Sequence, residues 1–418
     1  MNQFLRSSYL LGLFLFFSLQ VQAQYVLQDE DVLVERGVLV KCFYGGTDII
    51  IPSELDGQKV ISIGYSVFEG KKLTSVQLPK SLKSIEISAF KENELTSIVL
   101  PDSLESIGGL AFLKNKLTSV VFSETVQNID NRAFMGNELT SVVFPDNLEM
   151  IEGLAFSENQ LASVAFPKNL QKIGYKAFSN NQLTSLELPR NLQRIGESAF
   201  AENQLTSVVL SDSLKIIDER AFLKNQLRSV VFPKKLKRIG GGAFMENQLT
   251  SIVLPEELLI IEDYVFEENQ IQSIILPKNL QSIGYKAFSE NQLLSIVLPD
   301  SLESIGNYAF SENKLSSVVL PNSLVSIGHY AFSENQLTSI VLPDNLESIG
   351  NYAFYKNRLV SVELPDRLEL IGARAFWVNY FTEMKLPNIN KEGKWYDFDE
   401  IVHEKGSVVP TDSKYTFK

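Results

Sequence analysis

The chain has 418 residues, 44% of them hydrophobic and 21% charged, with a formal net charge of −12. That balance describes an ordered chain and excludes an intrinsically disordered one. The excess of acid argues against binding through nucleic-acid phosphate and against adhesion to an anionic membrane surface.

The first predicted element is not part of a fold. Arg6 precedes the apolar run "YLLGLFLFFSL", and Val21-Gln22-Ala23 closes it with small-residue cleavage chemistry. Residues 1–23 therefore read as a secretory signal peptide, which leaves no membrane insertion after cleavage. The competing reading is an uncleaved anchor, but the run is short of the ~20 apolar residues a bilayer requires. Residues 24–59 contain alternating stretches such as "VLVKCF" and are expected to form an N-terminal cap. Cys42 is the single cysteine, so no intramolecular disulfide is possible even in an exported chain. It is expected to be a buried small apolar residue, with a reactive thiol as the alternative.

From Leu73 onward the chain repeats every 22 residues, through Leu95, Leu117 and Leu139 to Leu359, giving fourteen complete units without an insertion. Such a period predicts a solenoid, because one unit cannot bury its apolar face alone and its neighbours cover it. With each unit numbered 1 to 22, position 13 is Ile from Ile85 to Ile371, position 18 is Phe from Phe90 to Phe376, and position 21 is Asn from Asn93 to Asn379. "TSVVL" at positions 2–6 alternates and reads as a strand, ended by Pro at position 7. "LESI" reads as a second short extended piece, stopped at position 14 by Gly, Glu or Asp acting as a turn. Ala and Phe at positions 17 and 18 are adjacent and both apolar, which predicts a helical turn rather than a strand. The stacked phenylalanines predict an aromatic spine, and the asparagines a ladder that bonds backbone groups where the chain turns. The solenoid is expected to span 60–387, and 388–418, with its aromatics and glycine turns, to form a C-terminal β-type cap.

The motif "LxxVxLPxxLxxIGxxAFxxN" resembles the BspA-like (Treponema pallidum-type) leucine-rich repeats, many members of which carry Cys where this chain has Asn93 and its equivalents. Residues 47–70 look like that family's longer first repeat, with Pro52 five residues early and a small insertion around Asp56-Gly57. The resemblance implies a curved, right-handed leucine-rich-repeat coil, mainly β with short helical turns. It also implies a bacterial surface or secreted protein that binds host or microbial partners, without naming one ligand.

Catalytic chemistry is not expected. The two histidines, His329 and His403, lie far apart in the chain, and neither joins a Cys/His cluster at metal-ligand spacing. No glycine-rich phosphate loop occurs. No catalytic residue, metal or cofactor is therefore predicted, and His329 reads as an exposed turn residue. Position 20 stacks Glu92, Glu158, Glu202, Glu246, Glu268, Glu290, Glu312 and Glu334 into an acidic ridge broken by Lys114, Lys224 and Lys356. It reads first as a solvated face, with weak divalent-cation binding and catalysis as successively remoter alternatives.

Two rows are candidate partner surfaces. Position 5 should point away from the core yet is mostly apolar, as in Val209, Val231, Val253, Ile275, Val297, Val319 and Val341. The plain alternative is that valine is a good strand former. Position 16 carries Tyr264, Tyr308, Tyr330 and Tyr352, with Tyr285 beside them at position 15, as at an interface; recent duplication of these units explains the same pattern without function. The leading expectation is an exported binding protein, adhesin-like, with a protein or surface-glycan partner. A periplasmic or envelope scaffold is the alternative, and a hydrolase lacks the groups it needs.

Overall fold

The computed structural model describes residues 24–381, 383–387, 395–396, 402–412 and 414–417. The segment expected to be a signal peptide lies outside the described residues, as do 388–394 and 397–401 of the expected terminal cap. Among the described residues the one helical element is a three-residue 3-10 turn, Asp29–Asp31. No helix among them is long and apolar enough to cross a membrane.

Each repeat is one coil of a solenoid. Its first strand pairs in parallel with the same strand of the next coil, as Ser119–Val121 does with Ser141–Val143 and Ser295–Val297 with Ser317–Val319. The second, at positions 12–13, builds the longer ladders: Ser282↔Ser304, Ser304↔Ser326 and Ser326↔Ser348 all pair in register. Position 4 points inward and position 5 outward, so Ile252 is buried while Val253 is exposed.

The core is a column of phenylalanines. From Phe68 to Phe376 successive rings are near-parallel, with centroids 5.1–5.9 Å apart. All are fully buried. Phe122, Phe144, Phe166 and Phe232, at position 6, meet this column edge-on.

The asparagines hold the coils in register. Asn225 Oδ1 accepts from the Leu205 amide at 3.0 Å. Its Nδ2 donates to the carbonyls of Phe200 in the preceding coil (2.9 Å) and of Phe222 (3.2 Å) and Leu223 (3.3 Å) in its own. The carboxamide thus uses both its acceptor and its donors on backbone groups that water cannot reach.

One local expectation is corrected. The segment carrying Ala and Phe is a pair of overlapping turns, not a helical one, because positions 16 and 20 are left-handed: Lys176 has φ 50° and Asn180 φ 55°, Tyr308 φ 59° and Glu312 φ 55°. Alternate amides then point at the next coil, with Lys176 donating to Glu197 (2.8 Å), Phe178 to Ala199 (2.9 Å) and Asn180 to Ala201 (3.0 Å). Those inter-coil bonds offset the ~1–2 kcal/mol that a left-handed L-residue costs. The glycines at position 14 open a turn as expected, Gly174 O accepting from the Ala177 amide and Gly306 O from the Ala309 amide, each at 3.3 Å, with no left-handed backbone. They are small because coils touch there: a Cβ on Gly306 would lie 2.6 Å from the carbonyl carbon of Gly284.

The insertion at Asp56-Gly57 is a hairpin, Glu54–Leu55 against Gln58–Lys59, with φ of 51° and 66° at the two loop residues. Near the chain start Val38–Cys42 pairs parallel with Ser62–Ile63 on one side and antiparallel with Val32–Glu35 on the other. Near the other end Leu370–Ile371 pairs antiparallel with Tyr415–Phe417, and Glu383–Lys385 with Val408–Pro410. Cys42 is buried, and desolvation raises its thiol pKa, which favours the packing reading over the reactive one.

Replacing Asn225 by Ala leaves the buried Leu205 amide unpaired, at ~1–3 kcal/mol, while the carbonyls of Phe200, Phe222 and Leu223 keep Asn203, Asn247 and the Glu202 amide as donors. We expect a loss of ~1–3 kcal/mol in urea unfolding, against under ~0.5 kcal/mol for the exposed neighbour Gln226→Ala. Equal effects would show that the ladder does not hold the coils.

Candidate functional site

The outward face of the first strand is the most uniform surface of the coil. Val209, Val231, Val253, Ile275, Val297, Val319 and Val341 are each at least 61% exposed. They occupy seven successive coils, with cross-strand neighbours such as Val253↔Ile275 and Val297↔Val319. The serines beside them, from Ser207 to Ser339, are exposed as well. In this stretch positions 22, 2, 3 and 5 carry only two charges, Arg228 and Lys314. The row is less uniform toward the chain start, where Val121 and Val143 are half-buried and Glu187 interrupts it.

The tyrosines lie on a different part of each coil, in the turn after the second strand. Tyr308, Tyr330 and Tyr352 stack face to face at 4.6 and 4.7 Å. Tyr264, Tyr285 and Tyr308 continue the column edge-on at 5.0 and 5.7 Å. Arg374 closes its far end, donating to Tyr352 Oη at 2.9 Å and lying over the Trp377 ring at 4.6 Å. Burial and the flanking Tyr308 and Tyr352 push the Tyr330 phenol pKa up. Tyr308, Tyr330 and Tyr352 are half-buried in their own stack, so much of their area is already used within the solenoid.

Next to this column lies a groove of about 920 Å³ over the second strands, lined by Ser282, Ser304, Ser326 and Ser348 with Asn307 and His329 at its edge. His329 Nδ1 accepts from the Asn351 amide at 2.7 Å, as Asn307 Oδ1 accepts from the His329 amide at 2.7 Å and Asn351 Oδ1 from the Ala373 amide at 2.8 Å. The exposed histidine is thus one rung of a backbone-capping ladder, with the proton on Nε2. Sequence reasoning placed it on a turn and missed this bond; the Asn at the same position in the flanking units was the available signal. His403 packs edge-on against Tyr415 at 5.6 Å, remote in sequence from His329.

The buried carboxylate of Asp218 resembles a catalytic acid only at first sight. Arg194 binds it through two nitrogens at 2.6 and 3.1 Å, and Arg238 reaches it at 3.1 Å. Arg238 also pairs with Glu262 at 2.7 Å and with Glu219. Its own backbone amide and Arg238 hold the Glu219 carboxyl below its ordinary pKa. Both arginines satisfy the acid, so the group is a structural tie between coils.

The acidic ridge forms as expected. Glu246 and Glu334 pair with Lys224 (3.7 Å) and Lys356 (3.3 Å) of the same row. Between them Glu268, Glu290 and Glu312 face one another, and burial together with these neighbours raises the pKa of Glu268 and Glu312. Among the described residues, Glu267, Glu268 and Glu290 are grouped closely enough to share a cation.

This repeat unit, with its two parallel strands, inward Phe and Asn and the turns between them, matches the family described as BspA type leucine rich repeat region (6 copies) over four overlapping segments, residues 41–160, 151–272, 237–341 and 303–400. The chain belongs to the BspA-type leucine-rich repeat family. Proteins built on this repeat generally serve as scaffolds for binding other proteins. Solved structures similar to this chain include YopM from Yersinia enterocolitica, 25% identical with a TM-score of 0.46 over 81% of this chain and 76% of that one. A leucine-rich repeat protein from Bacteroides ovatus is 21% identical, TM-score 0.42, covering 86% of each. A leucine rich cell surface protein from Faecalibacterium prausnitzii is 19% identical, TM-score 0.40, covering 84% and 89%. Comparison with curated proteins gave no match.

A carboxyl whose pKa is raised by folding favours the folded state below its ordinary range, and that contribution is lost as pH rises through the raised value. Glu312→Gln removes the repulsion present near neutral pH. We expect a small rise in melting temperature there that vanishes in acid below the carboxylate range. A fall at neutral pH would mean that Glu312 is held by a partner rather than repelled.

Proposed function

We propose that this BspA-type protein is an exported, adhesin-like binding protein that holds a protein or surface glycan of a host or microbial partner along its valine face. The observation that carries the reading is the row from Val209 to Val341, apolar in seven successive coils and at least 61% exposed in each. A strand-forming preference explains valine at any one coil. It does not explain why the serines beside the row, and most other positions flanking it, are uncharged along the same stretch. Burying one valine fully is worth ~1.5–3 kcal/mol. Association itself costs ~4–15 kcal/mol, so a partner covering two or three coils would be held weakly and one covering all seven firmly. The mechanism is multipoint and non-covalent, with hydroxyls of the flanking Ser and Thr fixing register. Export is supported by the apolar run and small-residue site in residues 1–23. The fold offers a rigid surface and no catalytic step is assigned to it.

Changing Val253, Ile275, Val297 and Val319 together to Lys should reduce binding to partner cells by at least ~100-fold; the solenoid stays folded because these positions are exposed, with only a modest fall in melting temperature from like charges one coil apart. Unchanged binding removes the valine face from consideration. Protease treatment of intact producing cells then tests location. Loss of the protein from unbroken cells, or its recovery from the medium, agrees with an exported binder; protection until the envelope is opened overturns the surface reading in favour of a periplasmic scaffold.

A further inference from the structure

One carboxylate in the solenoid does not fit the repeat. Position 19 holds Ser in the three units that follow Glu267, and Ser289 and Ser311 satisfy each other there at 2.8 Å. Glu267 occupies this position with its side chain only 2% exposed. Its Oε1 is paired with Lys286 Nζ at 2.6 Å. Its Oε2 is buried and has no hydrogen-bond partner. A buried carboxylate oxygen with nothing to accept from is rare in a native protein and calls for a ligand or a water.

The neighbours of that carboxylate are two more acids. Glu268 and Glu290 each bring an oxygen to Glu267, all three within 4.8 Å of one another. Their backbones are fixed, since the Glu268 amide donates to Ser289 O (3.1 Å) and the Glu290 amide to Ser311 O (3.0 Å). Nothing about stacking requires three carboxylates to converge around one that is buried and half-paired.

We propose that Glu267, Glu268 and Glu290 form a binding site for one Ca²⁺ ion. Three carboxylates and the Lys286 ammonium sum to a charge of −2, which one divalent cation neutralises. Ca²⁺ takes six to eight oxygens at ~2.3–2.6 Å, so two donors on opposite sides of the ion stand about 5 Å apart, the span of this cluster. Glu267 supplies the buried ligand through Oε2 while Lys286 keeps Oε1. Glu268 and Glu290 supply the exposed ligands, and water completes the shell. The exposed, hydrated side of the site places its affinity in the range of extracellular calcium modules, on the order of 10⁻⁴–10⁻³ M.

The test is calorimetric titration of calcium chloride into the metal-free full chain, with melting temperature followed in parallel. Saturable binding of one ion is expected, accompanied by a rise in melting temperature. Glu290→Gln should weaken binding at least ~10-fold, whereas Glu334→Gln, farther along the same ridge, should leave it unchanged. Glu267→Gln should abolish it; if that variant does not fold, the exposed Glu290→Gln decides alone. Absence of saturable binding up to about 10 mM, well above the expected range, overturns the proposal and leaves a buried water as the partner of Oε2. Equal weakening in Glu290→Gln and Glu334→Gln overturns it too, by reducing the effect to diffuse attraction to the ridge. The proposal does not depend on the valine face.

Discussion

Everything in this solenoid depends on one carboxamide per coil doing two things at once. The Asn at position 21 accepts from the first amide of its own unit and donates to the Phe carbonyl of its own coil and of the coil before it. These bonds form only if consecutive coils are offset by a constant number of residues. An insertion inside a unit would separate the acceptor from its donors and leave buried backbone groups unpaired, at ~1–3 kcal/mol for each. The fourteen-fold run of 22-residue units without an insertion is the expected consequence. The one insertion seen, at Asp56-Gly57, lies ahead of the first complete unit and leaves the coil as a separate hairpin.

Once register is set, surface chemistry is organised in rows. A residue at a given position stands about one strand spacing from its counterparts in the adjacent coils, so whatever type is repeated there becomes a stripe. Apolar stripes tolerate this stacking; acidic stripes do not, since like charges at that distance repel. The ridge shows the result in its raised carboxyl pKa values and in the lysines that interrupt it. Tyrosine behaves in a third way, because its rings stack upon each other and take up their own exposed area. Of the two rows that stand out in the sequence, the valines therefore remain open to a partner and the tyrosines are largely engaged with one another.

The regular part of the fold was legible because each invariant residue type admits few roles. An apolar Ile at position 13, a Phe at 18 and an Asn at 21, recurring at a fixed interval, leave little choice but core, spine and ladder. The turn was less legible. Left-handed backbone at positions 16 and 20 is filled mostly by Lys, Arg, Glu, Tyr, Leu, Ser and Val, none of which announces it; among the complete units only Gly136, Asn180 and Gly242 hint at it. The strain there is carried by hydrogen bonds to the next coil, which a single unit does not contain. The glycines at position 14 were read as opening the turn, which they do, but the close approach of neighbouring coils at the same place was not legible in a single unit.

The sequence by itself determined the period, the buried positions and the inward or outward sense of the strands, because alternation and repetition are local properties of the chain. It also made the valine row and the acidic ridge visible, as positions that do not vary as a solvated surface would. Only the tertiary structure decided which of those groups are satisfied. That Asp218 is tied by two arginines, that the tyrosines consume each other's surface, and that one oxygen of Glu267 is buried beside two further carboxylates are facts of neighbouring coils. The physical reason is that burial and pairing depend on residues 19 to 25 positions away, brought within hydrogen-bonding distance by the stack and by nothing in the local sequence.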